Sequence, residues 1–143
     1  MGSRRTSRIC ALQTLYQLEL NPLEVEQALR LYWDYFESST DNPERLTEIM
    51  GFTNLLVKGV MKNLEQIDDE IQSSSKNWKL NRMAMVDRNI LRLAVYELIT
   101  LEDIPKRVSI NEAIELGKKF GSEDSGSFIN GVLDKISQSV KKE

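Results

Sequence analysis

Apolar residues recur every three or four positions along almost the whole chain, which is the spacing of one face of an α-helix. In the N-terminal quarter this pattern predicts two helices. The first runs from a cap at Thr6 or Ser7 to Leu20. The second starts at Asn21-Pro22, and its buried stripe comprises Val25, Leu29, Tyr32 and Phe36. The polar stretch 37–42 is predicted to be a loop.

The middle of the chain predicts a long helix, a short connection and a buried helix. Asn42-Pro43 signals a helix start, because proline is tolerated at the first helical position. The helical period then continues for about seven turns, so a bend or break is predicted after Leu64. Trp78 lies in a short connection. The strongly apolar segment 83–101 follows, and its narrow polar strip places that helix at the centre of the core.

Two helices joined by a polar turn are predicted near the C-terminus. Ser109 and Glu112 have the spacing of a capping box, which predicts a helix over 109–120. Gly121 ends it, and Asp124 or Ser125 caps a last helix that extends to residue 136.

Gly131 lies inside that last helix, where glycine lowers helix stability, and we interpret it as a point of close packing or partner approach. The chain shows no strand-like alternation and no internal repeat. The pattern therefore predicts an all-α protein of five to seven helices, with antiparallel neighbours in a compact bundle.

Length and composition narrow the class of protein. A chain of 143 residues suits one domain over 1–143, with a core that needs neither metal nor disulfide. The single Cys10 supports neither a disulfide framework nor a zinc site and favours a cytosolic setting. No apolar run is long enough for a membrane span and no signal peptide is evident, so we expect a cytoplasmic protein.

Charge is distributed unevenly around a net value of −3. Residues 1–20 carry +2, residues 21–75 carry −7 and residues 76–143 carry +2. The acidic middle argues against broad affinity for nucleic acid, whereas a small basic site on an acidic body fits the pattern.

The residue types present disfavour catalysis. The chain has no histidine, which removes the commonest general base and the usual zinc ligand set. Its seven glycines fit neither a phosphate-binding loop nor a dinucleotide fingerprint. Asp68, Asp69 and Glu70 lack the spacing of a calcium loop and are interpreted as a solvated helix face. We therefore expect no enzymatic activity, no cofactor and no metal.

Three arginines near the N-terminus are the best candidates for binding. Arg4, Arg5 and Arg8 lie at the start of the first predicted helix, where each opposes the helix dipole by about 0.3 to 1 kcal/mol at low salt. Phosphate would favour them there, because arginine pairs bidentately with phosphate oxygens. A solvated N-terminus without a ligand is the alternative interpretation.

Other candidates have both a structural and a functional interpretation, and for each of them the structural one is the more common. Tyr16 and Phe128 could stack on RNA bases, although single aromatic residues at helical spacing more often belong to the core. Asp124 could contact a base or cap a helix. Asp87, Arg88 and Arg92 are interpreted as charges along the exposed side of the buried helix.

Three sequence blocks carry a resemblance to a known family. They comprise residues 4–8 with 11–16, residues 77–82 with 86–98, and residues 108–136. In this order and at this spacing the chain resembles the NusB family of bacterial transcription antitermination factors over nearly its whole length. Residues 21–75 match only in length and helical pattern.

The resemblance implies an all-α fold in which about seven helices form two packed sub-bundles. It implies a non-enzymatic factor that binds single-stranded boxA RNA as a heterodimer with NusE, the small-subunit ribosomal protein S-ten. This pair supports processive rRNA transcription within the antitermination complex on RNA polymerase, which the chain would join indirectly.

The resemblance also implies site residues. The RNA-binding set comprises Arg4, Arg5, Arg8, Tyr16, Lys119, Asp124, Phe128 and Lys135. Asp87 and Arg88 are the residues expected to face NusE. The first and last helices are expected to pack side by side, which would join both ends of the chain into one site. Because Thr6 and Ser7 interrupt the arginine tract, we expect weak RNA binding alone, with a salt slope of about −2, and tighter binding with NusE.

Two other functions compete with this one. A helical adapter that contacts only proteins would not need the arginines. An RNA-binding front domain, separated from an rRNA cytosine-5 methyltransferase, would have the same fold. The sequence leaves the oligomeric state open, and a homodimer that buries the arginine tract is one alternative.

Overall fold

The computed structural model describes residues 2–36 and 42–143. Its helices are α1 (Ser3–Leu20), α2 (Val25–Asp34), α3 (Pro43–Lys62), α4 (Leu64–Ser73), α5 (Met85–Thr100), α6 (Lys106–Phe120) and α7 (Ser125–Ser137), with a short 3-10 turn at Leu80–Arg82. These described residues form seven helices and no strand, which confirms the all-α prediction. Most of the predicted loop 37–42 lies outside the described residues.

Helix α5 is the centre of the core, as its composition predicted. It packs against five other helices, α1, α3, α4, α6 and α7. Its residues Ile90, Leu91 and Val95 are fully buried, because this helix contacts neighbours around most of its circumference. The predicted arrangement of two packed sub-bundles is confirmed, and α5 joins them.

The predicted starts of the first two helices were wrong. Helix α1 begins before Thr6, and its N-cap is Gly2, which makes no side-chain capping bond. Ser7 is instead buried inside α1, where its hydroxyl donates to the carbonyls of Ser3, 3.0 Å away, and Ile49, 2.9 Å away. The hydroxyl thus links α1 to α3. Helix α2 starts at Val25, three residues after Pro22.

The start and the break of the long middle segment were predicted well. Asn42 caps α3, and its Oδ1 accepts from the backbone N of Glu44 at 3.0 Å. The predicted break lies at Asn63, one residue before the expected position, and separates α3 from α4. Asn63 Nδ2 donates to the carbonyl of Gly59 at 2.8 Å, which satisfies an acceptor in the last turn of α3.

Ser109 and Glu112 do not form the capping box that was predicted for α6. Helix α6 begins at Lys106, so Ser109 and Glu112 lie inside it. Ser109 donates to Glu97 Oε1 at 2.8 Å, and Glu112 accepts from Arg5. A spacing of three residues also places two side chains on one helix face, and here both face other helices. The end of α6 at Gly121 was predicted correctly.

The last helix begins at Ser125 with Asp124 at its N-cap, but the Asp124 side chain makes no capping bond. Ser125 Oγ instead accepts from the backbone N of Ser122 at 2.9 Å. The C-terminal tail is tied back by Lys142, whose Nζ donates to the carbonyl of Glu97 at 2.9 Å. Burial lowers the pKa of this amine. Within the described ranges, none of the helices is both long and apolar enough to cross a membrane.

Three helical glycines give a prediction about stability. A Cβ added at Gly131 or Gly51 meets nothing within 4 Å, so close packing inside the chain does not explain Gly131. A Cβ on Gly59 would lie 2.1 Å from the Tyr96 ring. We expect Gly131→Ala and Gly51→Ala each to raise the free energy of unfolding by about 0.5 to 1 kcal/mol, because alanine restricts the unfolded chain.

Urea denaturation measures the free energy of unfolding of each variant. Gly59→Ala is the control, and it should lower stability because its Cβ would clash with Tyr96. A loss of stability in Gly131→Ala would show that this position has a structural role inside the chain.

Candidate nucleic-acid interface

Arg8 is a buried ion-pair residue. Its side chain is 6% exposed, and Nε and Nη2 donate to the two carboxylate oxygens of Glu97, each at 2.8 Å. Glu97 also accepts from Ser109 and is 2% exposed. With its donors directed at Glu97 inside the protein, Arg8 connects α1 to α5 and offers almost no surface to RNA.

Arg4 and Arg5, by contrast, lie on the surface in the first turn of α1. The Arg4 guanidinium lies 4.7 Å from the centroid of the Phe52 ring and 3.6 Å from exposed Asp103. Arg5 donates from Nε and Nη2 to both oxygens of Glu112, at 3.0 and 2.6 Å. The hydrogen bond from Arg5 is the main cause that lowers the pKa of Glu112.

Three neighbouring depressions lie along the surface, the first two between α1 and α6 and the third between the start of α5 and the start of α7. The first is lined by Arg5, Arg8, Ile9, Glu112, Glu115, Leu116 and Lys119. The second is lined by Leu12, Gln13, Tyr16, Gln17, Val86 and Phe120. The third, which we name the aromatic cleft, is lined by Trp78, Arg82, Met83, Ala84, Asp87, Ser122, Asp124 and Phe128. Consecutive residues of α6 connect the first to the second, and consecutive residues of α5 connect the second to the third.

The aromatic cleft has a volume of about 210 Å³. Trp78 and Phe128 meet edge to face in it, with ring centroids 6.2 Å apart, and Trp78 is 57% exposed. Asp87 and Asp124 are acidic whereas Arg82 is basic, so the cleft has mixed charge. Exposed ring faces beside hydrogen-bonding groups suit a nucleobase better than a phosphate.

The connection that carries Trp78 is held at several points. Gln72 Nε2 donates to the Trp78 carbonyl at 3.0 Å, and Gln72 Oε1 accepts from Leu80 N at 2.9 Å. Arg88 Nη1 donates to the carbonyls of Leu80 and Met83, at 2.9 and 3.1 Å. The position of Trp78 is therefore set before any ligand arrives, which reduces the entropy lost on binding.

Arg88 and Arg92 do not run along an exposed helix side, so that interpretation was wrong. Both are only 11–12% exposed and pair with Glu19 of α1, and Arg92 also pairs with Asp68 of α4. The hydrogen bond from Arg88 is the main cause that lowers the pKa of Glu19. The interpretation of Asp68 as solvated is corrected likewise, because this carboxylate links α4 to α5.

Asp87 is also buried, with 9% exposure, and its Oδ1 has no hydrogen-bond partner. It lies in the first turn of α5, where the helix dipole favours a negative charge. A buried carboxylate oxygen without a donor is costly, and this one lies too deep for direct contact with a partner in this conformation.

The remaining predicted site residues occupy different places. Lys119 lies in the first depression and half-buried Tyr16 in the second. Lys135 is exposed two turns beyond Phe128 on α7, outside the three depressions. The expected side-by-side packing of α1 and α7 was wrong, because α7 packs on α6 and α5 while α1 packs on α3 and α5. The two ends of the chain are connected through α6.

Trp78, Arg82 and Phe120 were missed as site residues. Trp78 could have been found from the sequence, because it is a tryptophan in an otherwise polar connection. A tryptophan of the core would be expected within the apolar stripe of a helix. Arg82 and Phe120 had no comparable signal, because their neighbours in the site come from other helices. No cluster suited to a metal ion occurs among the described residues.

Comparison with known proteins gives a consistent result. Residues 5–138 match the NusB family. The chain is 46% identical over 142 residues to transcription antitermination protein NusB of Myxococcus xanthus, with 99% of each chain covered. It is 50% identical over 141 residues to the protein of that name from Anaeromyxobacter dehalogenans, covering 98% of this chain and 94% of the relative.

Solved structures have the same fold. T. maritima NusB is 36% identical and superimposes with a TM-score of 0.82, over 96% of this chain and 92% of that one. A chain from the crystal structure of antitermination factors NusB and NusE in complex with dsRNA is 27% identical, with a TM-score of 0.81, over 96% and 97% of the two chains.

The buried ion pair predicts an asymmetric response to mutation. Arg8→Ala should lower the free energy of unfolding by about 3 to 5 kcal/mol, because Glu97 would remain buried without its main donor. The double variant Arg8→Met/Glu97→Leu should recover much of that loss, since it leaves neither charge unpaired. Chemical denaturation measures both variants. A loss below about 1 kcal/mol in Arg8→Ala would contradict the structural role.

The network around Glu19 predicts acid sensitivity. The pKa of Glu19 in the folded protein lies below its ordinary value of 4.5. The ion pairs of Glu19 therefore stabilise the protein fully above pH 4.5, and this stabilisation is lost as the pH falls from 4.5 through the lowered pKa. Glu19→Gln should cost about 2 kcal/mol at pH 7 and flatten the decline in melting temperature at acid pH. Glu123→Gln, on an exposed residue, is the matched control and should change neither. Equal acid profiles for both variants would contradict the prediction.

Proposed function

The chain belongs to the NusB family, and from that membership we propose that it binds boxA RNA together with NusE. Relatives at 46–50% identity are transcription antitermination proteins, so its role is that of a factor and not of an enzyme. The proposal includes support of processive rRNA transcription, indirect association with RNA polymerase and a cytoplasmic location. One RNA-binding domain over 1–143 is part of it.

The observation that carries the proposal is the row of three depressions. It connects exposed Arg5 at the start of α1 with the aromatic cleft at the start of α7. Phosphate contacts position a nucleic acid, and base contacts give specificity. We assign the phosphate contacts to Arg4, Arg5 and Lys119, and the base contacts to Tyr16, Asp124 and Phe128.

Two residues, Arg8 and Arg88, change their predicted roles in this proposal, and Asp87 and Lys135 keep theirs. Arg8 positions α1 and does not touch RNA, because its donors bond Glu97 in the interior. Arg88 positions the connection around Trp78 and does not contact NusE directly. Asp87 keeps the NusE-facing role that the family resemblance implies, and its buried oxygen would need a local rearrangement to meet a donor of the partner. Lys135 is an outer phosphate contact on the exposed side of α7.

Fluorescence anisotropy with labelled RNA tests the proposal, with and without NusE. The RNA probes are a boxA-like strand, its scrambled form and a duplex, since a structural relative occurs with NusE and dsRNA. We expect weak binding alone, and a preference for the boxA-like strand once NusE is present. Equal affinity for boxA-like and scrambled strands in the presence of NusE would refute sequence-selective recognition.

Variants separate the two kinds of contact. Arg4→Ala/Arg5→Ala should weaken binding to both strands alike and reduce the magnitude of the salt slope by between about 0.7, if Arg4 alone contacts phosphate, and about 1.4, if Arg5 does so fully as well. Phe128→Ala should lower the preference for the boxA-like strand, because base stacking contributes about 1 to 3 kcal/mol per base. Arg30→Ala, on the exposed face of α2, is the matched control.

The helical adapter is the alternative that this experiment tests. It predicts that Arg4→Ala/Arg5→Ala leaves every interaction unchanged. The methyltransferase front domain is disfavoured, because the chain covers 99% of an antitermination protein from Myxococcus xanthus. Sedimentation with and without RNA tests the alternative of a homodimer, which RNA should dissociate if the dimer buries the arginines.

A further inference from the structure

We propose that Glu112 competes with RNA phosphate for Arg5 and so sets the affinity of the chain for RNA. This inference rests on the proposed function and adds a residue that weakens RNA binding. The pairing of Arg5 with Glu112 is the observation behind it.

The pair has the geometry that phosphate would need. Arg5 uses Nε and Nη2 for both oxygens of Glu112, at 3.0 and 2.6 Å. A phosphate group would bind through the same planar fork, because carboxylate and phosphate both accept two parallel N–H bonds from arginine. Arg5 therefore cannot bind phosphate in that geometry until Glu112 releases it.

Accessibility indicates which of the two residues remains in place. The Arg5 side chain is 51% exposed, whereas that of Glu112 is 16% exposed and rests in the depression between α1 and α6. Arg8 Nη1 lies 3.6 Å from Glu112 Oε1 and provides a second positive neighbour. Glu112 is thus held by the fold, and Arg5 is the member that can exchange partners.

Arg4 provides a comparison within the same helix turn. Its nearest carboxylate, Asp103, lies 3.6 Å away, and these two side chains are 55% and 71% exposed. Solvent and salt screen such a pair, so Arg4 can exchange Asp103 for phosphate at little cost. The competition is therefore specific to Arg5.

Structural need does not explain the Arg5–Glu112 pair. Helix α1 is already fixed to α5 and α6 through Arg8, Glu97 and Ser109, all buried. A pair with one half-exposed member contributes little further stability. The larger effect of Glu112 is on the availability of Arg5, which agrees with the weak RNA binding expected of the chain alone.

The test compares RNA affinities of the full chain without NusE, by anisotropy with the boxA-like strand. Glu112→Gln keeps the size of the side chain and removes its charge, and we expect binding about two- to fivefold tighter. The salt slope should become steeper by about 0.7, the value for one additional phosphate contact on a single strand. Circular dichroism and thermal melting verify the fold.

Two further variants separate local pairing from net charge. Glu115→Gln changes net charge equally, on the same helix and in the same depression. Glu115 has an ion pair with Lys118 and acts on Arg5 through a Coulombic interaction without a hydrogen bond, so its removal should change the salt slope much less than Glu112→Gln does. Glu112→Asp keeps the charge and shortens the side chain, so the two bonds to Arg5 cannot both form. We expect a smaller gain in the same direction.

A double-mutant cycle decides the mechanism. If Glu112 acts through Arg5, the gain disappears when Glu112→Gln is combined with Arg5→Ala. A gain that persists without Arg5, or no gain in Glu112→Gln while Arg5→Ala weakens binding, would overturn the inference alone. If Arg5→Ala has no effect on binding in either the wild-type or the Glu112→Gln background, the proposed phosphate contact fails, and the inference fails with it.

Discussion

The ion pair between Arg8 and Glu97 is the constraint on which the arrangement of the site depends. Both side chains are almost completely buried, and burial of either charge alone would be costly, so each requires the other. Ser109 completes the shell around Glu97 and brings α6 to the same point. Helices α1, α5 and α6 therefore have one relative position, and the exposed arginines at the start of α1 lie beside α6.

This position determines how charges are used on the surface. Positive groups occur beside negative ones along α1 and α6, as Arg5 beside Glu112 and Arg4 near Asp103 show. The chain therefore has a small basic edge whose charges are partly neutralised, which fits a net charge of −3. In the proposed function, RNA affinity depends on exchange of partners by these charges and on NusE, whereas RNA specificity depends on the aromatic cleft, where mixed charge suits bases.

A second charged network fixes the positions of helices at the other end of the site, around the aromatic cleft. Arg88 and Arg92 connect α5 to Glu19 and Asp68, and Arg88 also binds the carbonyls before α5. Trp78 is thereby held against Phe128 although most of its ring is exposed. Side chains that resemble surface charges in the sequence thus position the residues that can bind a ligand.

The sequence by itself determined the helical class, the break at Asn63, the buried α5 and the family, because these follow from local periodicity, helix signals and the spacing of motifs. Only the tertiary structure decided which partner each charged side chain takes. Arg4, Arg5 and Arg8 are equivalent in sequence. In the structure Arg8 is buried with Glu97, Arg5 is half-exposed and paired bidentately with Glu112, and Arg4 is loosely paired with Asp103. Ser109 and Glu112 likewise had capping spacing but bond to other helices. Hydrophobic period is a local property of the chain, whereas a charge takes as its partner whichever group the packing of distant helices brings near.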